Sequence, residues 1–170
     1  MEYGTYTAQT VGEAVELVNL FVDGVSEDDA IRAVLHLHGL AAGDLDQDGF
    51  ADLAAGLRRV FEASDESTRA EALNRLIERY EPRPRLTDHD GQGPHFHYAP
   101  DDGPDLPRVG ASLTMSLANV VVDFGGARLG CCGAPSCRRV FVDATRNRSQ
   151  RFCSKRCANR VHVAEHRARA

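Results

Sequence analysis

Four of the five cysteines in this chain, Cys132, Cys137, Cys153 and Cys157, are spaced C-x₄-C-x₁₅-C-x₃-C. Each close pair can form a knuckle, and the intervening loop can bring two knuckles around one ion. Four convergent thiolates are what a structural zinc site requires. Thiolates are soft donors, so the choice lies between zinc and an iron–sulfur centre, with hard cations excluded. A closed set of four ligands leaves no position for a reacting water, so the chemistry on offer is structural. Cys131 would give C-x₅-C. Knuckle spacing favours Cys132 as the ligand and leaves Cys131 as a packing or incidental thiol.

The residues around the thiols are basic. From Arg128 to Ala170 eleven Arg and Lys face only Asp143 and Glu165, a net charge of +9, which leaves −14 for residues 1–127 of a chain totalling −5. Such a split makes the C-terminal segment a candidate for binding polyanions. Arg156, Arg160 and Arg167 recur at helix-compatible spacing, with Asn159 and His162 among them, and Arg146, Arg148 and Arg151 lie on the turn before the second knuckle. The guanidiniums suit phosphates, with an affinity that falls as salt rises. Arg160, Asn159 or His162 would suit base edges, since Arg matches guanine and Asn matches adenine. The competing reading is that these arginines pair with the acidic part of the same chain.

The elements that must position these groups follow from periodicity. A length of 170 residues accommodates one ordinary domain and a small module. The expected class is mainly α with a small β component: an acidic helical domain over residues 1–126 and a basic zinc module over 127–170. Residues 1–9 read as a strand or loose lead-in. Val11, Val15, Val18 and Val22 mark a helix from Thr10 to Gly24; Ser26 is the expected N-cap of a second, closed by Gly39. A third helix is expected over 48–63. Thr68 and Glu71 read as a capping box opening a fourth. Residues 81–108 are rich in Pro, Asp and Gly, with strand character at His95 to Tyr98. A last helix of the acidic part spans Gly110 to Phe124, and Gly125-Gly126 reads as a hinge. Val140 to Val142 form a short strand, Ala144 to Gln150 a polar turn, and the chain from Cys157 onward a helix.

The order of knuckle, hairpin, and knuckle opening a helix is that of a treble-clef finger. The segment also resembles the CGNR zinc finger. The counterparts are Cys132 and Cys137, Phe141 and Asp143, Arg146-Asn147, Arg151-Phe152-Cys153, and Cys157-Ala158-Asn159-Arg160, followed by Arg167 and Arg169. Ala158 replaces the family's usual Gly, and the second pair is one residue closer than is common. Members usually carry an N-terminal ABATE domain, helical with a small sheet. Residues 10–125 are compatible with it, including Leu17-Val18-Asn19 and Leu57-Arg58. The resemblance implies a bacterial transcription regulator holding one structural zinc ion. Its expected partners are DNA, a small-molecule effector of the N-terminal domain, and a second copy of the chain. The alternatives are RNA as the polyanion, or a protein-docking module whose tail sits on acidic partners or on its own N-terminal domain.

Other signals are weaker. Asp44, Asp46, Asp48 and Gly49 open like a calcium loop, but Ala55 stands where a bidentate Glu is required, so an Asp-rich turn with an N-cap is preferred. His95 and His97 share a strand face with His89 nearby in sequence, as a second metal or ligand site or, preferred here, an exposed polar face. His162 and His166 are i, i+4 and extend the phosphate-facing surface or chelate a metal. No nucleotide-binding or nucleophile-elbow motif is present, so the chain does not read as an enzyme. The N-terminus lacks an export signal and no apolar stretch spans a bilayer, so the expected compartment is cytoplasmic, where clustered cysteines hold metal and membranes are not a partner.

Overall fold

The computed structural model describes residues 5–88 and 93–169. Among the described residues six α-helices carry the fold: α1 (Thr5–Val22), α2 (Asp28–Val34), α3 (Gln47–Glu62), α4 (Glu66–Tyr80), α5 (Asp105–Phe124) and α6 (Lys155–Arg169). Two antiparallel pairs complete it, β1 (Arg85–Thr87) with β2 (His95–His97), and β3 (Leu129–Cys131) with β4 (Val140–Val142). The class is therefore mainly α with a small β part.

Helices α1, α3, α4 and α5 pack on one another because each presents an apolar stripe at helical spacing. Leu17, Val18, Phe50, Leu53, Leu57, Val60, Val109, Leu113, Leu117 and Val120 are fully buried, joined by Ile31 and Leu35 from the α2 segment. Leu129 and Val140 belong to the same core. The β3–β4 hairpin thus lies against α1 and α3, and the main apolar interior continues into the first strands of the cysteine-bearing segment.

Several local expectations change. Helix α1 begins at Thr5, ahead of Thr10, because residues 5–9 hold no Pro or Gly and a formed helix gains one hydrogen bond per added residue; residues 1–4 lie outside the described part. Ser26 does not cap α2: Glu27 occupies that position, and Ser26 donates its own N–H to the Glu27 carboxylate at 3.1 Å. Asp28 and Asp29 place negative charge in the first turn instead. The helix then tightens to a 3₁₀ turn at His36–His38 before left-handed Gly39. For α4 the cap is Asp65, which accepts from the Thr68 N–H at 2.8 Å and its hydroxyl at 3.0 Å, so Thr68 is inside the first turn. Asp46 caps α3 by accepting from the Gly49 N–H at 2.9 Å, the role preferred for that Asp-rich run.

Gly125-Gly126 is a docked junction, where a hinge was expected. Gly125 has φ 80° and ψ 149°, a region open essentially to glycine alone. Gly126 is buried against Arg69 and Glu66, donating its N–H to Glu66 Oε1 at 3.0 Å. Arg69 in turn donates to the carbonyls of Val60 and Ala63, closing the C-terminal end of α3. The start of β3 is therefore tied to two helices.

Candidate metal centre and basic surface

Strand β3 leads into the first knuckle. Cys132 donates its N–H to the Arg139 carbonyl and Cys137 to that of Ala134, so the chain reverses between the two thiols. After β4, a turn returns the chain to the second knuckle, where the Gly133 N–H bonds the Arg151 carbonyl at 2.9 Å. Ser154 precedes α6 and accepts from the Cys157 N–H at 3.2 Å, placing Cys157 in the helix's first turn.

The result is a cage. The Sγ atoms of Cys132, Cys137, Cys153 and Cys157 all lie within 4.8 Å of one another, the one cluster of three or more metal-binding side chains among the described residues. Cys137 and Cys153 are 3.7 Å apart, and Cys153 and Cys157 3.8 Å. A zinc–sulfur bond of about 2.3 Å gives a tetrahedron with edges of about 3.8 Å, so the donor set fits zinc. The Cys153 N–H approaches Cys132 Sγ at 3.4 Å, and an Arg160 nitrogen approaches Cys157 Sγ at 3.8 Å, both offsetting thiolate charge. Crowding in the cage sets how three of the thiols hold their protons. Burial, and then the neighbouring thiols, push Cys153 up to about 12, and burial raises Cys137. The Ser154 hydroxyl, helped by the other thiols, holds Cys157 down to about 7. Zinc loading releases those protons.

Cys131 lies on β3 outside the cage, and partial burial of its thiol, then the Glu62 charge, push its pKa up and keep it protonated. Cys132, and not Cys131, is the thiol that joins the cluster, in line with the knuckle spacing.

The turn above the cage rests on a buried pair. Asp143 Oδ1 accepts from the Thr145 N–H at 2.7 Å and Oδ2 from the Gln150 N–H at 2.8 Å, while Arg128 donates to the carbonyls of Asp143 and Thr145. Burial alone would raise the Asp143 carboxyl, but the Thr145 hydroxyl and these amides outweigh it, and it sits below the usual range. A carboxyl lowered in the folded state contributes stability above its unfolded pKa and loses it as pH falls through the folded one. The Asp143 contribution is therefore complete at neutral pH and lost in acid below about pH 4. Asp143→Asn removes the charge from these bonds, and destabilisation by about 1–3 kcal/mol is expected in denaturant titrations of the zinc-loaded chain at pH 7, narrowing as the pH is lowered.

All eight nominated contact residues, Arg146, Arg148, Arg151, Arg156, Asn159, Arg160, His162 and Arg167, are exposed. Arg148 donates to the Phe124 carbonyl at 3.0 Å, Arg160 to that of Pro135 at 3.2 Å, and Arg151 lies over the Phe152 ring at 5.6 Å. His162 meets the Phe152 ring edge-on at 6.0 Å. Among the described residues, the side chains of Arg146, Arg156 and Arg167 have no hydrogen-bond or ion-pair partner. One arginine of the basic segment pairs with an acidic side chain of the helical part: Arg139 with Asp23, Nε to Oδ2 at 3.0 Å. Arg138 is a further exposed arginine, not among the eight. It borders a cavity of about 470 Å³ beside the cage together with Arg139, Arg156 and Arg160. Its signal was a basic pair directly after a ligand, which carries no helical spacing to recommend it.

Residues 13–124 match the ABATE family, described as "Putative stress-induced transcription regulator", and residues 128–170 match the CGNR zinc finger. A comparison with curated proteins finds no match. No helix among the described residues is long and apolar enough to cross a membrane.

Proposed function

The chain belongs to the ABATE family, and on that premise we propose that it is a non-enzymatic transcription regulator in which the N-terminal helical domain, residues 1–126, controls DNA binding by the zinc-stabilised finger, residues 127–170. The observation that carries this reading is the freedom of the arginines. The helical part holds a charge of −14, yet Arg146, Arg156 and Arg167 stand exposed without acidic partners. An intramolecular clamp would have used them first. Arg156 shares the cavity beside the cage with Arg138, Arg139 and Arg160, and with Arg146 and Arg167 also in solvent the segment offers guanidiniums that suit a phosphate backbone. One finger offers a small interface, so useful affinity calls for a second copy or a partner protein, with the helical domain as the dimerisation surface and the seat of any small-molecule effector.

The test is binding of labelled duplex DNA to the zinc-loaded full chain across a salt series. Affinity is expected to fall linearly on a log–log plot. Arg156→Ala and Arg167→Ala should each reduce the slope by about 0.9, one phosphate contact apiece. A salt-independent signal, or none, sinks the reading, and tighter binding of structured RNA in competition moves it to that polymer.

A further inference from the structure

His95 and His97 are two residues apart on β2, so both side chains leave the same face of the strand. Their Nε2 atoms lie 3.1 Å apart. The other nitrogen of each ring is anchored: His95 Nδ1 lies 2.9 Å from the Gly93 carbonyl oxygen, and His97 Nδ1 lies 2.6 Å from Asp101 Oδ1. A carbonyl oxygen and an ionised carboxylate can only accept, so both Nδ1 atoms carry hydrogen. With hydrogen on both Nδ1 atoms, each Nε2 carries a lone pair, and the two nitrogens lie 3.1 Å apart. That arrangement calls for positive charge at the point where they meet, either a proton on one ring or a cation bound by both.

The distance distinguishes the two less well than the surroundings do. Two imidazoles bound to one ion at about 2.0–2.1 Å have nitrogens about 2.9 Å apart at a right angle and about 3.4 Å apart in a tetrahedron, and 3.1 Å lies between. Metal-binding histidines characteristically donate the second ring N–H to a carboxylate or a backbone carbonyl, and here one does each. We propose that His95 and His97 form a second metal site, separate from the cysteine cage, for a divalent first-row transition ion, with Asp101 and the Gly93 carbonyl orienting the rings. Imidazole pairs suit zinc, nickel or copper. His97 also lines a cavity of about 470 Å³ with His38, Tyr98, Arg108 and Ser112, which leaves the remaining coordination positions room for water or a small anion beside the Arg108 guanidinium. His89 lies outside the described residues.

The probe is Ni²⁺ added to the full chain already carrying zinc in its cage, followed by calorimetry and by paramagnetic broadening of the imidazole resonances. One added equivalent should bind and broaden the His95 and His97 signals, with zinc content unchanged. His95→Gln and His97→Gln should each abolish it. Asp101→Ala alters an exposed side chain, so the fold survives it, and should weaken Ni²⁺ binding about 10–100-fold while the His95 and His97 broadening persists at higher Ni²⁺. His162→Ala should change nothing. The proposal is overturned if no equivalent binds, if affinity is indifferent to Asp101, or if His162→Ala removes the ion, which would place it on the exposed i, i+4 pair of α6.

Discussion

Replacing Cys153 with alanine is expected to release the zinc and unfold the two knuckles and α6, residues 132–138 and 151–169, while leaving the helical bundle and the β3–β4 hairpin packed on it folded. The reason is what the module has for a core. Its buried cluster consists of Cys132, Ala134 and Cys157, with Cys137, Phe152, Cys153 and Val161 packed around it. Four of those seven are the metal ligands themselves. Helix α6 buries a single residue, Cys157, so apart from the cage almost nothing holds it in place. Zinc contributes about 10–16 kcal/mol in isolated finger peptides, far more than this cluster could supply by apolar burial. Metal analysis should fall from about one zinc per chain to none. Amide exchange should lose protection through α6 while α3 and α5 keep theirs, because their buried side chains lie in the separate main core. Cys131→Ala, which alters a thiol outside the cage, should retain the zinc. Protected α6 amides in the Cys153 variant would show that packing, and not metal, holds the helix.

Asn19→Ala is the second substitution expected to have a large effect, and it acts far from the cage. Strand β4 pairs with β3 along one edge only. At its other edge the buried Asn19 side chain stands in for a strand, donating Nδ2–H to the Val140 carbonyl at 3.0 Å and accepting the Val140 N–H at Oδ1 at 2.8 Å. Truncation leaves a buried donor and acceptor unsatisfied at about 1–3 kcal/mol each, so a loss of about 2–4 kcal/mol is expected in denaturant unfolding. Asn19→Asp keeps the shape but turns a donor into an acceptor facing a carbonyl, and should be no better than alanine. A near-neutral aspartate variant would mean that the amide is not the clamp between α1 and β4. Because α1 also carries buried Glu13, facing His38 Nε2 at 3.1 Å, this helix connects the finger to the region of the histidine cavity.

Most of the helices were legible because their apolar stripes repeat at 3.6 residues over three turns or more; α3 and α4 emerge within a few residues of their expected limits, whereas α5 begins at Asp105, ahead of the expected Gly110, inside the stretch read as loop. Their starts were less legible, because Ser26, Thr68 and Asp65 are all chemically able to cap, while the α2 position went to Glu27, which makes no capping bond. The choice fell to the residue that the packed backbone leaves extended, which local composition does not reveal. The hinge expected at Gly125-Gly126 failed for a related reason. Paired glycines signal conformational freedom, yet they serve equally where a backbone must press against side chains such as Arg69 and Glu66.

The zinc site could be read from the chain alone, since thiol spacing within a knuckle is a local property that survives any arrangement of the rest. So could the charge split, which is a property of composition. Tertiary structure decided what those charges meet: Arg139 pairs with Asp23, while Arg146, Arg156 and Arg167 stay in solvent. It also decided that β3 and β4 join the helical core through Leu129 and Val140, and that Asn19 closes an edge 121 residues away along the chain. Contacts over such separations depend on how helices stack, and no spacing within one segment encodes that.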